Sequence, residues 1–179
     1  MRKAWLVVTV AALCLSACKD KEVSVATVAK TPEAVSSAQG LLAWTLPAGW
    51  REAAGQGMRY ATLLAGPVGQ AYEVSVVRLE GTAGGSLANV NRWRGQLGLP
   101  PTNEGSVGKS LTRLPSAAGE ILLVDLLGKD ESGKPTRMLA AMAQADGSWW
   151  FFKMLGPKAR LEEFTPQFKS LLRSLRPAA

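Results

Sequence analysis

Residues 86–97 carry charged and amide side chains that helix packing alone does not require. At about 100° per residue, four apolar side chains share one helical sector about 120° wide: Leu87, Val90, Trp93 and Leu97. Arg94 projects into the middle of that sector with Asn91 beside it, whereas Arg92 lies on the exposed side. Guanidinium groups bind carboxylates and phosphates in a fork geometry. Asn91, Arg92 and Arg94 therefore predict a ligand or partner contact in a cleft between this helix and a sheet.

A structural interpretation of Arg94 stands beside the functional one. A buried guanidinium without a partner is costly. Arg94 therefore either extends its head group to water or pairs with a carboxylate, such as Asp125 or Glu73, on a neighbouring strand. A second functional hypothesis is a small-molecule carrier or enzyme with a pocket around Asn91, Arg94 and Asp125.

The residue types needed for catalysis are sparse. The chain has no histidine, the commonest metal ligand and general base. It has neither a Gly-x-Ser-x-Gly elbow nor Asp/Glu spacing typical of a calcium loop, and Gly84-Gly85 lacks the remainder of a nucleotide-binding fingerprint. Two Lys-Ser neighbours, at 109–110 and 169–170, leave a Ser-Lys dyad open. We expect no enzyme, no catalytic residue, no metal and no cofactor.

The first 18 residues predict export and anchoring. A basic start precedes the apolar residues 4–15, a run shorter than the roughly 20 residues of a membrane-spanning helix. The residues Leu15-Ser16-Ala17-Cys18 resemble the bacterial lipobox. That resemblance implies a signal peptide over residues 1–17, cleavage before Cys18, and diacylglycerol and acyl groups on Cys18. The alternative is an ordinary secretory signal with a cysteine beside its cleavage site.

The residues after Cys18 predict a tether and a location. Residues 18–40 are small and polar, and about 22 residues of flexible coil span about 25 Å; a short edge strand at 23–25 is the alternative. In proteobacterial sorting an Asp directly after the lipidated cysteine marks inner-membrane retention. Lys19 occupies that position and Asp20 follows one place later. The outer membrane is therefore favoured over the inner one, with the domain facing the periplasm or exterior.

Composition limits the partners and the means of stabilisation. The formal net charge is +7, and it falls by two without residues 1–17, which contain Arg2 and Lys3 and no acid. The basic residues are scattered, without the patches of a nucleic-acid-binding module. Cys14 leaves with the signal peptide and Cys18 is consumed by lipid, so no disulfide is expected. The domain must be held by its core alone.

Residues 41–179 read as a single α+β domain. Strand patterns occur at residues 44–46, 58–64, 71–79, 120–127, 137–145 and 149–155, with a further short strand open at 113–118. Residues 102–110 read as a loop. The second helix is expected in two parts, a turn at 158–164 and a main helix from Pro166 to Leu175 with Thr165 as N-cap. The prediction is a mostly antiparallel sheet of about six strands flanked by helices.

Two stretches resemble known families. Trp44-x-Leu46-Pro47-x-Gly49-Trp50, with the element order that follows and the closing Leu171-Leu172-x-Ser174-Leu175, resembles the PsbP-like family. Residues 84–99 are similar to a group of uncharacterised bacterial lipoproteins or secreted proteins. The PsbP-like resemblance implies an α/β/α sandwich and a non-enzymatic domain that docks on a larger assembly, without transferable binding residues. The first functional hypothesis is thus a membrane-anchored envelope lipoprotein that acts as a non-catalytic protein-interaction module, with an envelope protein as partner and no nucleic acid.

Overall fold

The computed structural model of the protein describes residues 42–178. The expected signal peptide, the lipidation site Cys18 and the expected tether of residues 18–40, with its alternative strand, lie outside the described residues. In the part of the chain that is described, no helix is long and apolar enough to cross a membrane.

Nine strands and three helices make up residues 42–178. The strands are β1 (Leu42–Ala43), β2 (Arg51–Ala54), β3 (Ala61–Ala65), β4 (Tyr72–Glu80), β5 (Leu111–Ser116), β6 (Gly119–Lys129), β7 (Pro135–Ala145), β8 (Ser148–Gly156) and β9 (Arg176–Pro177). The helices are α1 (Gly85–Gln96), α2 (Glu104–Ser110) and α3 (Lys158–Arg173).

Seven strands form one antiparallel sheet in the order β2-β3-β4-β8-β7-β6-β5. The hairpin between β7 and β8 fixes the register of these two central strands, because Ala145 pairs with Ser148 across a two-residue turn. Asp146 and Gly147 in that turn have φ of 49° and 70°, as a tight turn matching the twist of the strands requires. Strands β1 and β9 pair separately and join the two ends of the domain.

Helices cover both faces of the sheet, and the sheet divides the core in two. The α3 side contains the largest aromatic group, in which Trp44, Trp150 and Phe152 are at most 2% exposed. The α1 side is smaller and centres on Trp93 and Phe151. Alternate residues of β8 therefore serve opposite cores, as a strand buried on both faces demands. This arrangement confirms the expected α+β class.

Strand β2 and helix α2 were not expected, because both are short, mostly polar segments without a long apolar pattern. Strand β2 has no apolar alternation; it is an edge strand whose register is set by pairing with β3. Residues 104–110 form helix α2 and not a loop. The Asn103 side chain caps this helix by accepting from the Ser106 amide at 3.1 Å, and Val107 anchors it in the core.

The C-terminal helix was expected to break at Pro166, and that expectation is wrong. Helix α3 runs unbroken through Pro166, although the ring removes one backbone donor. Apolar residues on both sides of the proline are buried on the same face: Leu161, Phe168, Leu171 and Leu172. Continuous burial of this face outweighs the lost hydrogen bond. The first strand was expected at residues 44–46, but β1 comprises Leu42–Ala43. The backbone amide of Thr45 instead donates to the Ser174 hydroxyl at 2.9 Å.

Candidate functional site

Two of the candidate site residues hold the loop that follows α1. The Asn91 side chain donates to the Thr102 carbonyl at 3.0 Å and accepts from the Thr102 amide at 2.7 Å. Nε of Arg94 donates to the Pro100 carbonyl at 2.7 Å. Both side chains thus satisfy backbone groups of an irregular segment, which is a structural use of polar residues. Arg94 is partly exposed and does not enter the core.

Asp125 lies on the other face of the sheet, so it cannot share a pocket with Asn91 and Arg94. It follows Ile121 and Leu123 in the alternation of β6, on the α3 side. There it accepts two hydrogen bonds from Arg137, at 2.8 and 2.6 Å, and this partner raises the pKa of Arg137. The expected pairing of Arg94 with Asp125 or Glu73 is also wrong, because Glu73 pairs with Arg59 at 2.8 Å.

The remaining candidate, Arg92, borders a cleft between α1 and the β4–β8 part of the sheet. This cleft, called the α1 cleft below, has a volume of about 240 Å³. Its apolar walls are formed by Met58, Val77, Leu79, Trp93 and Phe151. Its polar lining residues are Ser75, Asn89, Arg92, Gln96 and Lys153. The expected cleft between helix and sheet therefore exists, but with other residues than Asn91 and Arg94.

Two cations without a carboxylate partner stand at the α1 cleft. Arg92 donates to the Asn89 side-chain oxygen, and Nζ of Lys153 donates to Oε1 of Gln96 at 3.2 Å. Within residues 42–178, neither forms a salt bridge. Burial, with the nearby charges of Arg59 and Arg92, lowers the pKa of Lys153. The rim of the cleft is thus a site of uncompensated positive charge.

Close packing at the end of α1 fixes one wall of the cleft. Leu97, which follows the helix, is buried, and its carbonyl accepts from the Lys129 amide at 2.9 Å. A Cβ on Gly128 of strand β6 would lie 2.3 Å from that carbonyl oxygen. Only glycine permits this approach of helix end and strand. At the other end of the helix, the N-cap residue Gly84 is in the left-handed region at φ 81°, and the Asn89 side-chain amide donates to the carbonyls of Ala83 and Gly85.

Sequence reasoning missed Lys153, although its signal was present. Strand alternation places Trp149, Phe151 and Lys153 on one face of β8. The pattern therefore predicts Lys153 on the same side of the sheet as Trp93. Lys153 and Arg92 line the same cleft because α1 crosses over β4 and β8. The sequence pattern did not predict this crossing.

The donor groups of the cleft suit binding better than proton transfer. The Ser75 hydroxyl donates to the Lys153 carbonyl at 3.3 Å and not to a base. Elsewhere in residues 42–178, no cluster of three or more His, Cys, Asp or Glu side chains is placed to hold a metal ion.

Comparison with known proteins places the fold. No family model and no curated protein sequence matches the chain. A solved structure of LpqN, involved in cell envelope biogenesis of Mycobacterium tuberculosis, is 10% identical with a TM-score of 0.53, over 77% of this chain and 83% of that one. The cyanobacterial PsbP protein CyanoP from Synechocystis is 13% identical with a TM-score of 0.51, over 77% of this chain and 87% of that one. The domain has a PsbP-like fold.

A third similar structure is a longer protein. It comes from Bacteroides thetaiotaomicron, is 10% identical with a TM-score of 0.48, and matches 78% of this chain. The chain spans 46% of that protein's length. The PsbP-like fold confirms what the sequence resemblance implied about architecture, and function has to be argued from the site.

Proposed function

We propose that this protein is a lipid-anchored module of the bacterial cell envelope that binds a partner protein without catalysing a reaction. The observation that carries the proposal is the character of the α1 cleft. Its polar groups are two cations, amides and one hydroxyl, and they lack the adjacent acid and base that proton transfer needs. Apolar walls beside fixed polar groups are typical of a binding site.

The anchor and the fold support the location. The sequence Leu15-Ser16-Ala17-Cys18 resembles the lipobox that directs lipidation of a cysteine, and two or more acyl chains hold a protein on a membrane stably. The fold is shared with LpqN, which is involved in cell envelope biogenesis, and with CyanoP. Both observations support an envelope location, and Lys19 after the cysteine favours the outer membrane over the inner one.

The partner is expected to contact the rim of the α1 cleft. Met58 stands at that rim with 78% of its surface exposed. An exposed methionine is an adaptable apolar contact for a partner surface. Val68 is a matched reference, since it is 83% exposed but lies in the loop at the opposite end of β3.

Site-specific photo-crosslinking in the native host tests this proposal. A photoreactive amino acid replaces Met58 in one strain and Val68 in another, in the full chain with Cys18 intact. We expect a discrete adduct with an envelope protein from position 58 and a much weaker one from position 68. Absence of any adduct from position 58, with the protein present in the membrane fraction, would overturn the proposal.

A further inference from the structure

The α1 cleft combines apolar walls with positive charge that no acidic side chain offsets. Trp93 and Phe151 are 5% and 8% exposed, and their rings meet edge to face at 6.2 Å. An apolar wall of two closely packed, buried rings offers van der Waals contact to a hydrocarbon chain. Met58 at the open end adapts its shape readily to such a chain.

The two positive charges at the cleft favour a ligand with a negatively charged head group. Arg92 and Lys153 border the same cleft and repel each other, while their hydrogen-bond acceptors, Asn89 and Gln96, are neutral amides. Arg59, the third cation nearby, already has Glu73 as its partner. An anion held by Arg92 and Lys153 would remove the repulsion and make charge-assisted hydrogen bonds. A neutral or cationic head group would gain neither.

The volume limits the ligand to a single chain. About 240 Å³ is below the range of roughly 300 to 1,000 Å³ of sites that enclose drug-sized molecules or cofactors. A phospholipid with two acyl chains does not fit this space, whereas a medium-length alkyl chain fits with its head group at the rim.

We propose that the α1 cleft binds a fatty carboxylate, with the alkyl chain against Trp93 and Phe151 and the carboxylate held by Arg92 and Lys153. This site goes beyond the proposed function and does not depend on it, since it needs neither the partner protein nor the anchor. Of the four candidate residues from the sequence, Arg92 takes part in this site, and Asn91, Arg94 and Asp125 do not.

Photoaffinity labelling tests the site. The full chain, reconstituted in phosphatidylcholine vesicles, is labelled with decanoic acid that carries a diazirine near its methyl end. We expect saturable labelling that maps to peptides containing Trp93 or Phe151. Unlabelled decanoate should compete at least tenfold better than decanol or decylamine, because only the carboxylate pairs with both cations. Each CH₂ added from hexanoate upwards should tighten binding about fourfold until the cleft is full.

Variants separate the charge from the cavity. Arg92→Gln with Lys153→Met should weaken decanoate competition at least tenfold, because it removes both cations that hold the carboxylate. The domain should stay folded, since Arg92 is exposed and Lys153 is only partly buried. Arg173→Gln with Lys158→Met removes the same charge from exposed positions of α3 and should leave binding unchanged. Val77→Phe fills the cleft without altering its charge and should abolish labelling. Thermal unfolding checks that each variant is folded.

The outcomes that overturn this site are distinct from those that overturn the proposed function. Non-saturable labelling, equal competition by decanol or decylamine, or unchanged binding in the Arg92 and Lys153 double variant would each contradict a fatty carboxylate site. The assay contains no other protein, so these results leave partner binding at Met58 untouched. A missing crosslink at Met58 likewise leaves the labelling result standing.

Discussion

Single polar side chains in this domain have two different roles. Some complete the hydrogen bonds of irregular backbone, as Asn91 does for Thr102 and Asp130 does for the amides of Ser132 and Lys134. Others are ionisable groups held where burial opposes their charge. Lys153 and Glu52 belong to this second kind, and at both of them pH should act on stability or binding.

Glu52 carries a testable pH dependence of stability. Its Oε2 accepts from Nε1 of Trp44 at 3.1 Å, but burial outweighs this bond and raises the pKa of Glu52 from 4.5. A raised pKa means that the folded state holds its proton to higher pH than the unfolded state. The stability from this group is therefore complete below pH 4.5 and is lost as the pH rises through the raised value.

We expect Glu52→Gln to increase the free energy of unfolding at pH 7 by up to about 1 kcal/mol, a small effect because the side chain is only partly buried. The amide oxygen still accepts from Trp44, and at pH 4 the gain should shrink. Urea unfolding at the two pH values measures this. Glu131→Gln in the exposed β6–β7 loop is the control, with a change below about 0.5 kcal/mol at both. A destabilised Glu52→Gln at pH 7 would contradict the burial argument.

Among the elements, helix α1 depends most on one close contact. On Gly128 a Cβ would lie 2.3 Å from the Leu97 carbonyl oxygen and 2.7 Å from its Cβ, so backbone must move to admit alanine. We expect Gly128→Ala to lower the free energy of unfolding by about 1–3 kcal/mol. It should also weaken decanoate binding, since α1 forms one wall of the cleft.

Gly95 provides the matched control in the same helix. A Cβ there meets no atom within 4 Å, so Gly95→Ala should raise the free energy of unfolding by up to about 1 kcal/mol through helix propensity. Urea unfolding of both variants measures the contrast. If Gly128→Ala proved as stable as the unaltered protein, α1 would not be seated on β6 as described.

The elements that were predictable are those with long apolar patterns. Strands β4, β6, β7 and β8 and helix α1 lie within one or two residues of expectation, because alternation or helical periodicity marks a buried face. Strand β2 and helix α2 are short and largely exposed, so tertiary pairing and a cap decide them. The predicted break at Pro166 was wrong, because local propensity favours a break there. Burial of apolar residues on both sides of the proline keeps helix α3 continuous.

For the whole molecule, the sequence predicted the α+β class and the PsbP-like fold, and it placed a cleft beside α1. It did not predict which side chains meet there. Arg92 and Lys153 are 61 positions apart in sequence, and only the crossing of α1 over β4 and β8 brings them together. Asp125 was misassigned because an alternating strand gives each residue a face but not the helix that covers it.

The proposed lipid anchor is the central claim at this scale, since it would decide where the domain meets the proposed partner. Mass spectrometry of the protein purified from the membranes of an expressing bacterium tests it most directly. We predict a mature N-terminus at Cys18 carrying a diacylglycerol mass, and a Cys18→Ser variant in which neither cleavage before residue 18 nor that mass is found. An unacylated product, cleaved at another position and recovered free of the membrane, would contradict the account.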